Sequence, residues 1–384
     1  MDFDLNEEQR LLKESVDRLV EQRYSFEQRK KYLAEPGGWS RAQWKQYAEM
    51  GLLGLPFEEK YGGIGSGPVE MMIVMEAFGR GLVLEPYFAT VVLAGSALRL
   101  AGSDAQKQAH LPGIAAGERL MALAHAEVQS RHDLADVKAR AEKDGAGWVL
   151  NGAKTLVLHG DCAEWLVVAA RVTGEQRDRQ GIALFLVDAN AAGIARKGYS
   201  LQDGSRAADI VLSNVRVGAD ATLGKPGEGH AVLERVIESG IAALCAEAVG
   251  AMEEMHAVTL DYLKTREQFG VKIGSFQVLQ HRSVDMLVAL EQARSMSYLA
   301  TMSVDEPDAA ERRKTISAAK VQVGRSTRYV GQQAIQLHGG IGVTMEYKVG
   351  HYFMRTTAIE LLYGDADHHL TQVARAGGFV PARA

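Results

Sequence analysis

The chain has 384 residues, 47% of them hydrophobic and 24% charged, with a formal net charge of -5 and both signs interspersed. That is ordinary globular composition, long for one compact domain, so two or three packed units are expected. No block of Lys and Arg suggests a nucleic-acid or membrane surface, and no run approaches the ~20 apolar residues of a membrane span. The start, from Met1 to Glu8, is acidic without an apolar signal core, and membrane insertion is not expected. Cys162 and Cys245 stand far apart without metal-ligand spacing, which predicts neither a disulfide nor a metal site and fits a reducing cytoplasm.

Residues 1–116 read as an N-terminal helical domain. Asn6 is placed to cap a helix whose first turn holds Glu7 and Glu8, and Leu11, Leu12, Val16, Leu19 and Val20 recur at helical spacing. Pro36-Gly37-Gly38 interrupts, Trp39 to Met50 resumes, a further helix is predicted from Val69 to Arg80, and Leu111-Pro112-Gly113 closes the region. Residues 117–228 change period. Asn151-Gly152 between two β-prone runs reads as a turn, and further short apolar runs predict a small antiparallel β domain without intervening helices. Residues 229–384 return to helix, with long segments from Ala231 to Thr265 and from Phe276 to Met302, broken at Asp305-Glu306-Pro307-Asp308. The fold class is therefore α+β, mainly α: helices, a β domain, then an antiparallel four-helix bundle.

Two segments carry chemistry. In the first, Arg266, Phe269, Gly270, Phe276 and Gln277 place a cation, an aromatic ring, a Gly turn and an amide at the junction of two helices. A planar guanidinium there suits a pyrophosphate, although an Arg in a last turn also serves as plain capping. In the second, Gln336 precedes Gly339-Gly340-Ile341-Gly342, whose glycines let backbone N–H groups approach a phosphate or simply end a helix. Near the N-terminus there is no strand–Gly-x-Gly-x-x-Gly–helix unit of the nicotinamide enzymes.

Together, Arg266-x-x-Phe269-Gly270…Phe276-Gln277 and Gln336-x-x-Gly339-Gly340-x-Gly342 resemble the FAD-binding half of the acyl-CoA dehydrogenase family, over nearly the whole chain. The resemblance implies an oxidoreductase that introduces an α,β double bond into an acyl-CoA thioester. It further implies FAD held across a subunit boundary by Arg266, Phe269, Gln277, Gln336, Gly339 and Gly340, a tetramer, and an electron-transfer flavoprotein as acceptor. A dicarboxylyl-CoA such as pimeloyl-CoA is the expected substrate.

The departures are as informative. The family's base, a Glu after a Tyr near the C-terminus, falls on Gly364 after Tyr363, and its alternative location falls on Gly240, with Glu238 two residues away. The flavin-covering Trp-Ile-Thr element appears as Leu156-Val157-Leu158, which can pack on a ring and donates no side-chain hydrogen bond. The Thr-Glu-Pro strand appears as Ala126-Glu127-Val128; nearby His125, Arg131 and His132 are either contacts for a substrate carboxylate or coenzyme A phosphate or plain surface-strand residues. One half of the cofactor site is thus intact and the other altered, which suggests a heteromer whose second acyl-CoA dehydrogenase subunit supplies the base. The competing expectations are a catalytically silent interaction subunit and a self-sufficient homo-oligomer with Asp365 as base. Contacts to substrate are expected from His132, Glu238 and Gly364.

Overall fold

The first helix begins where its cap lies. The Gln9 amide donates to the Asn6 side chain at 2.8 Å and the Asn6 amide to the Gln9 side chain at 3.0 Å, a closed capping box. Val16, Leu19 and Val20 form its buried face. The computed structural model describes residues 4–377. The helices are α1 (Glu7–Arg23), α2 (Phe26–Leu33), α3 (Arg41–Glu49), α4 (Pro68–Gly81), α5 (Ser96–Ala101) and α6 (Asp104–Ala115). After the β region come α7 (Gly229–Thr265), α8 (Gln277–Ser303), α9 (Ala309–His338), α10 (Lys348–Leu361) and α11 (Ala366–Arg375). No helix among the described residues is long and apolar enough to cross a membrane. The chain forms two compact units: one comprises the chain up to Lys31, Pro68–Val83 and everything from Ile241; the other comprises Tyr32–Gly67 and Leu84–Gly240.

The first unit is helical. Its α4 and α7 meet backbone to backbone: a Cβ on Gly79 would lie 1.9 Å from the Glu247 carbonyl oxygen, and one on Gly250 1.9 Å from that of Glu76. Only glycine fits such a crossing. Charges hold the helices together, with Arg80 paired to Glu253 at 2.8 Å, to Glu76 at 3.0 Å and also to Asp17, while Arg294 reaches Glu76 at 3.2 Å. Asp308 caps α9 by accepting from the Ala310 amide at 2.8 Å, so the acidic Pro-containing break between α8 and α9 falls where the sequence predicts it.

The second unit is built on one sheet. Its strands are β1 (Met121–Ala124), β2 (Arg140–Asp144), β3 (Gly147–Leu158), β4 (Trp165–Arg171), β5 (Ile182–Asp188), β6 (Ile194–Ser200), β7 (Arg206–Val217) and β8 (Thr222–Leu223). They run β6-β7-β3-β2-β4-β5-β8, mostly antiparallel, with β1 added parallel to β4. The apolar runs Leu166 to Ala170 and Ile182 to Val187 are buried along their whole length, as central strands must be.

Two expectations are corrected. Asn151-Gly152 makes no turn: β3 passes straight through it with a bulge, because Asn151 Oδ1 accepts the Asn214 amide at 2.7 Å and Gly152 lies hard against Ala139. The hairpin lies earlier, where Asp144 pairs with Gly147 across Gly145-Ala146 and Gly145 takes φ +58°. Likewise Pro112 does not end its region's last helix. Helix α6 continues to Ala115 because Leu111 and Ile114 on either side are buried, and that burial outweighs the lost hydrogen bond.

Candidate functional site

In the helical unit, α7 ends at Thr265 and the chain enters a minimal hairpin, β9 (Glu267–Gln268) paired antiparallel with β10 (Val271–Lys272). Its turn is Phe269-Gly270, with φ +56° and +78°, the two positive values that a type I′ turn demands. The ladder closes below Arg266, whose carbonyl accepts the Ile273 amide at 2.9 Å, and Lys272 pairs with Glu267 at 2.9 Å. The turn holds the Phe269 ring 90% exposed, edge-on to Phe276 at 6.3 Å. Gln277 then opens α8, exposed, as is Arg266.

The second segment lies at the end of α9. Gly339 leaves the helix with φ +61°, and among the described residues a Cβ on Gly339, Gly340 or Gly270 would meet nothing within 4 Å. The two segments are joined by a ring stack that sequence reasoning missed. Tyr262, one turn before Arg266, lies 4.6 Å from His338, which lies 5.1 Å from Tyr347. His338 Nδ1 sits 2.7 Å from the Ala334 carbonyl, which can only accept, so Nδ1 carries the proton and Nε2 is an acceptor. Burial pushes the imidazole down from its ordinary value and keeps it neutral. The available signal was a His immediately before the glycines and a Tyr four residues before the Arg. The result is one exposed shelf bearing Arg266, Phe269, Gln277, Gln336, Gly339 and Gly340. A cation, an uncovered aromatic ring and glycine backbone without side-chain obstruction fit a flat, doubly phosphorylated cofactor such as FAD.

The same unit carries Gly364, where any side chain is strained and crowded. Its φ is +116°, and a Cβ would lie 2.5 Å from His368 Cδ2 and 2.9 Å from His369 Nε2. His369 is held from both sides: Nε2 donates to the Tyr363 carbonyl at 3.1 Å, and Nδ1 lies 3.1 Å from the Ser317 hydroxyl. Asp365, one residue on, caps α11, its carboxylate accepting the His368 amide at 2.8 Å.

In the sheet unit, Leu156 stands at the end of β3 with φ +50° and 39% exposure, and Leu158 is half-buried. The neighbouring Thr155 hydroxyl is committed to Asp209 at 2.7 Å. Glu127 is buried against Lys154 at 2.7 Å and accepts the Lys138 and Ala139 amides at 2.9 and 3.0 Å, so it braces the sheet. His132 is half-buried in the loop after β1, next to Arg131 at φ +46°. Glu238 is buried on α7, and at Gly240 a Cβ would come within 2.9 Å of Leu93. At Gly240 only the end of the Leu93 side chain would have to yield, whereas at Gly364 a carboxylate-bearing residue also meets a strained backbone.

Family models for the N-terminal, middle and C-terminal domains of acyl-CoA dehydrogenase match residues 6–118, 122–215 and 227–378. The probable acyl-CoA dehydrogenase YngJ of Bacillus subtilis is 29% identical over 381 residues, covering 98% of this chain and 99% of that protein. The mitochondrial isovaleryl-CoA dehydrogenase of Arabidopsis thaliana is 34% identical over 331 residues, 84% of this chain and 80% of that protein. Among solved structures, a chain of the ChsE4-ChsE5 complex from Mycobacterium tuberculosis superposes with a TM-score of 0.88 at 25% identity, over 100% of each chain. With all three domains matched in chain order, and with a shelf that fits FAD, this chain belongs to the acyl-CoA dehydrogenase family of flavin-dependent oxidoreductases.

Proposed function

We propose that this chain is one of two kinds of subunit in an FAD-dependent acyl-CoA dehydrogenase, completing the FAD site of a second subunit that supplies the catalytic carboxylate. The observation that carries the reading is Gly364: the base position is closed by two imidazoles and a positive φ, so this chain brings no carboxylate there. FAD, when bound, accepts the hydride from the substrate β-carbon while a carboxylate takes the α-proton. Arg266 would pair with the pyrophosphate, Phe269 would cover a ring face, and Gly339 and Gly340 would offer amides to phosphate oxygens. Leu156 and Leu158 lend apolar contact without a hydrogen bond.

Two further observations support a second subunit. Val284, Leu287 and Val288, at i, i+3 and i+4 on α8, form an exposed apolar stripe next in sequence to the FAD shelf. One structural neighbour, the ChsE4-ChsE5 complex, bears the names of two components. The substrate is an acyl-CoA, with a dicarboxylyl-CoA such as pimeloyl-CoA as the specific candidate, His132 and Glu238 near its path, and an electron-transfer flavoprotein as acceptor of the resulting electrons. The assembly is a heterotetramer working in the cytoplasm.

The test is the visible spectrum of the chain purified alone and after co-expression with a second acyl-CoA dehydrogenase subunit. The expected result is a colourless chain alone and a yellow complex that bleaches on anaerobic addition of pimeloyl-CoA. A chain that is yellow and bleaches alone overturns the proposal and passes the base to Asp365, against its present use as a helix cap.

A further inference from the structure

The turn that follows β3 gathers three side chains of a different chemistry. His159, Asp161 and Cys162 place an imidazole nitrogen, a carboxylate oxygen and a thiol sulfur all within 4.8 Å of one another. Zinc at ~2.0–2.3 Å from each ligand in tetrahedral geometry sets ligands ~3.3–3.8 Å apart, so closure requires about an ångström of side-chain movement.

The backbone already holds the turn in place. The His159 amide donates to the Arg206 carbonyl at 2.9 Å, and the Gly160 amide to that of Val157 at 2.9 Å. Arg196 binds the Gly160 and Ala163 carbonyls at 3.2 and 2.7 Å. Arg206 grips only one carboxylate oxygen of Asp161, with Nε at 2.8 Å and Nη2 at 2.7 Å from Oδ2. The other, Oδ1, is sealed from solvent and has no hydrogen-bond partner among the described residues. A buried anionic oxygen left without a donor is costly. A cation between Oδ1, the imidazole and the thiol removes that cost.

We propose that His159, Asp161 and Cys162 form a binding site for a borderline divalent ion, zinc by the chemistry of its donors. Mixed nitrogen, sulfur and oxygen ligands select zinc over magnesium or calcium, which take oxygen donors. Arg206 acts from behind as the orienting partner that aims Oδ1, the part that outer-shell groups play in metal sites. Three protein ligands leave a fourth position for water. The sequence reading missed the site because two cysteines far apart show no paired spacing; a His-x-Asp-Cys turn is a short-range signal that becomes visible only when the chain bends back at His159, φ +51°. This inference does not depend on the flavin reading, since it lies within the sheet unit and its test requires no flavin.

The experiment is a titration of the full chain, stripped with chelator, with Co²⁺ followed by absorbance. One equivalent should bind with a thiolate-to-cobalt charge-transfer band in the near ultraviolet, displaced by Zn²⁺. Cys162→Ser should abolish the band, His159→Gln should weaken binding at least about tenfold, and Cys245→Ser should leave both unchanged. Absence of a stoichiometric band in the native chain, or its persistence in Cys162→Ser, overturns the proposal. Should the variants fail to fold, the native chain decides: one equivalent of Zn²⁺ should protect Cys162 from alkylation, read by mass spectrometry, and equal alkylation with and without zinc sinks the idea.

Discussion

Gly364 is the position where stability and function can be separated most cleanly. Alanine there must adopt φ +116°, a region that L-residues avoid, at about 1–3 kcal/mol. Its Cβ also starts 2.5 Å from His368 Cδ2 and 2.9 Å from His369 Nε2. His368 is half-buried and can swing away, whereas His369 is fixed between Tyr363 and Ser317, and displacing it loses a buried hydrogen bond of about 1 kcal/mol. Gly364→Ala should therefore destabilise the helical unit by about 2–4 kcal/mol, a fall of several degrees in melting temperature. Differential scanning fluorimetry of the isolated chain reads this directly. His368→Ala in the same background should recover only the part due to the first contact, leaving the φ cost. In the complex, well below its melting point, the proposed placement of the base on the other subunit has Gly364→Ala leave kcat unchanged. A melting change under about 0.5 kcal/mol equivalent refutes the closed-turn argument. A tenfold loss of kcat at unchanged flavin content refutes the assignment of the base.

Other consequences follow from individual groups. Arg266→Ala should weaken FAD binding to the complex by about 10–150-fold, the worth of ~1.5–3 kcal/mol for a charge-assisted hydrogen bond, and leave the apo chain's melting unmoved; equal flavin content would misplace the shelf. Lys154→Met leaves Glu127 charged and buried, and should cost about 3–5 kcal/mol in urea denaturation, with Glu127→Gln in the same chain restoring much of it. His110 supplies a pH test. Burial, and the Arg119 guanidinium donating to its Nδ1 at 3.1 Å, push it from 6.5 down to about 4. The unfolded chain then binds more protons between those values, so stability falls as pH drops from about 6.5 towards 4, by about 2–3 kcal/mol in all. His110→Gln should flatten that slope, and an unchanged slope removes His110 from the explanation.

What was legible in the sequence is what local chemistry decides. The Asn6 cap, the acidic break capped by Asp308 and the long Pro-free helices each follow from residues adjacent in the chain, and they stand where predicted. The Asn151-Gly152 reading failed because the same dipeptide that makes a type I′ turn also makes a bulge, and a distant strand chose between them: Asn214 takes the Asn151 side chain. The real turn, Gly145-Ala146 closed by the Asp144–Gly147 pair, carried an Asp-Gly signal of its own at the start of the same strand. At the cofactor shelf the exposed residues were readable, but the Tyr262, His338 and Tyr347 stack beneath them joins three separate segments, and no spacing rule connects those.

The asymmetry between the two halves of the cofactor site has an energetic side. Phe269 holds a positive φ and leaves its ring almost wholly in water, and Gly339 and Gly340 give up backbone entropy without packing against anything within 4 Å among the described residues. Each feature costs the free chain stability and returns little inside it, Phe269 only its edge contact with Phe276. Gly364 and Gly240 are the reverse: their missing side chains are filled by His368, His369 and Leu93, so they are absorbed into the chain's own packing. A chain that had merely lost its function would have no physical reason to keep the first kind of feature while closing the second. On the proposed reading, the free energy spent on the exposed shelf is recovered when a ligand and a second subunit cover it, so the shelf would serve the assembly while the closed turn serves the fold.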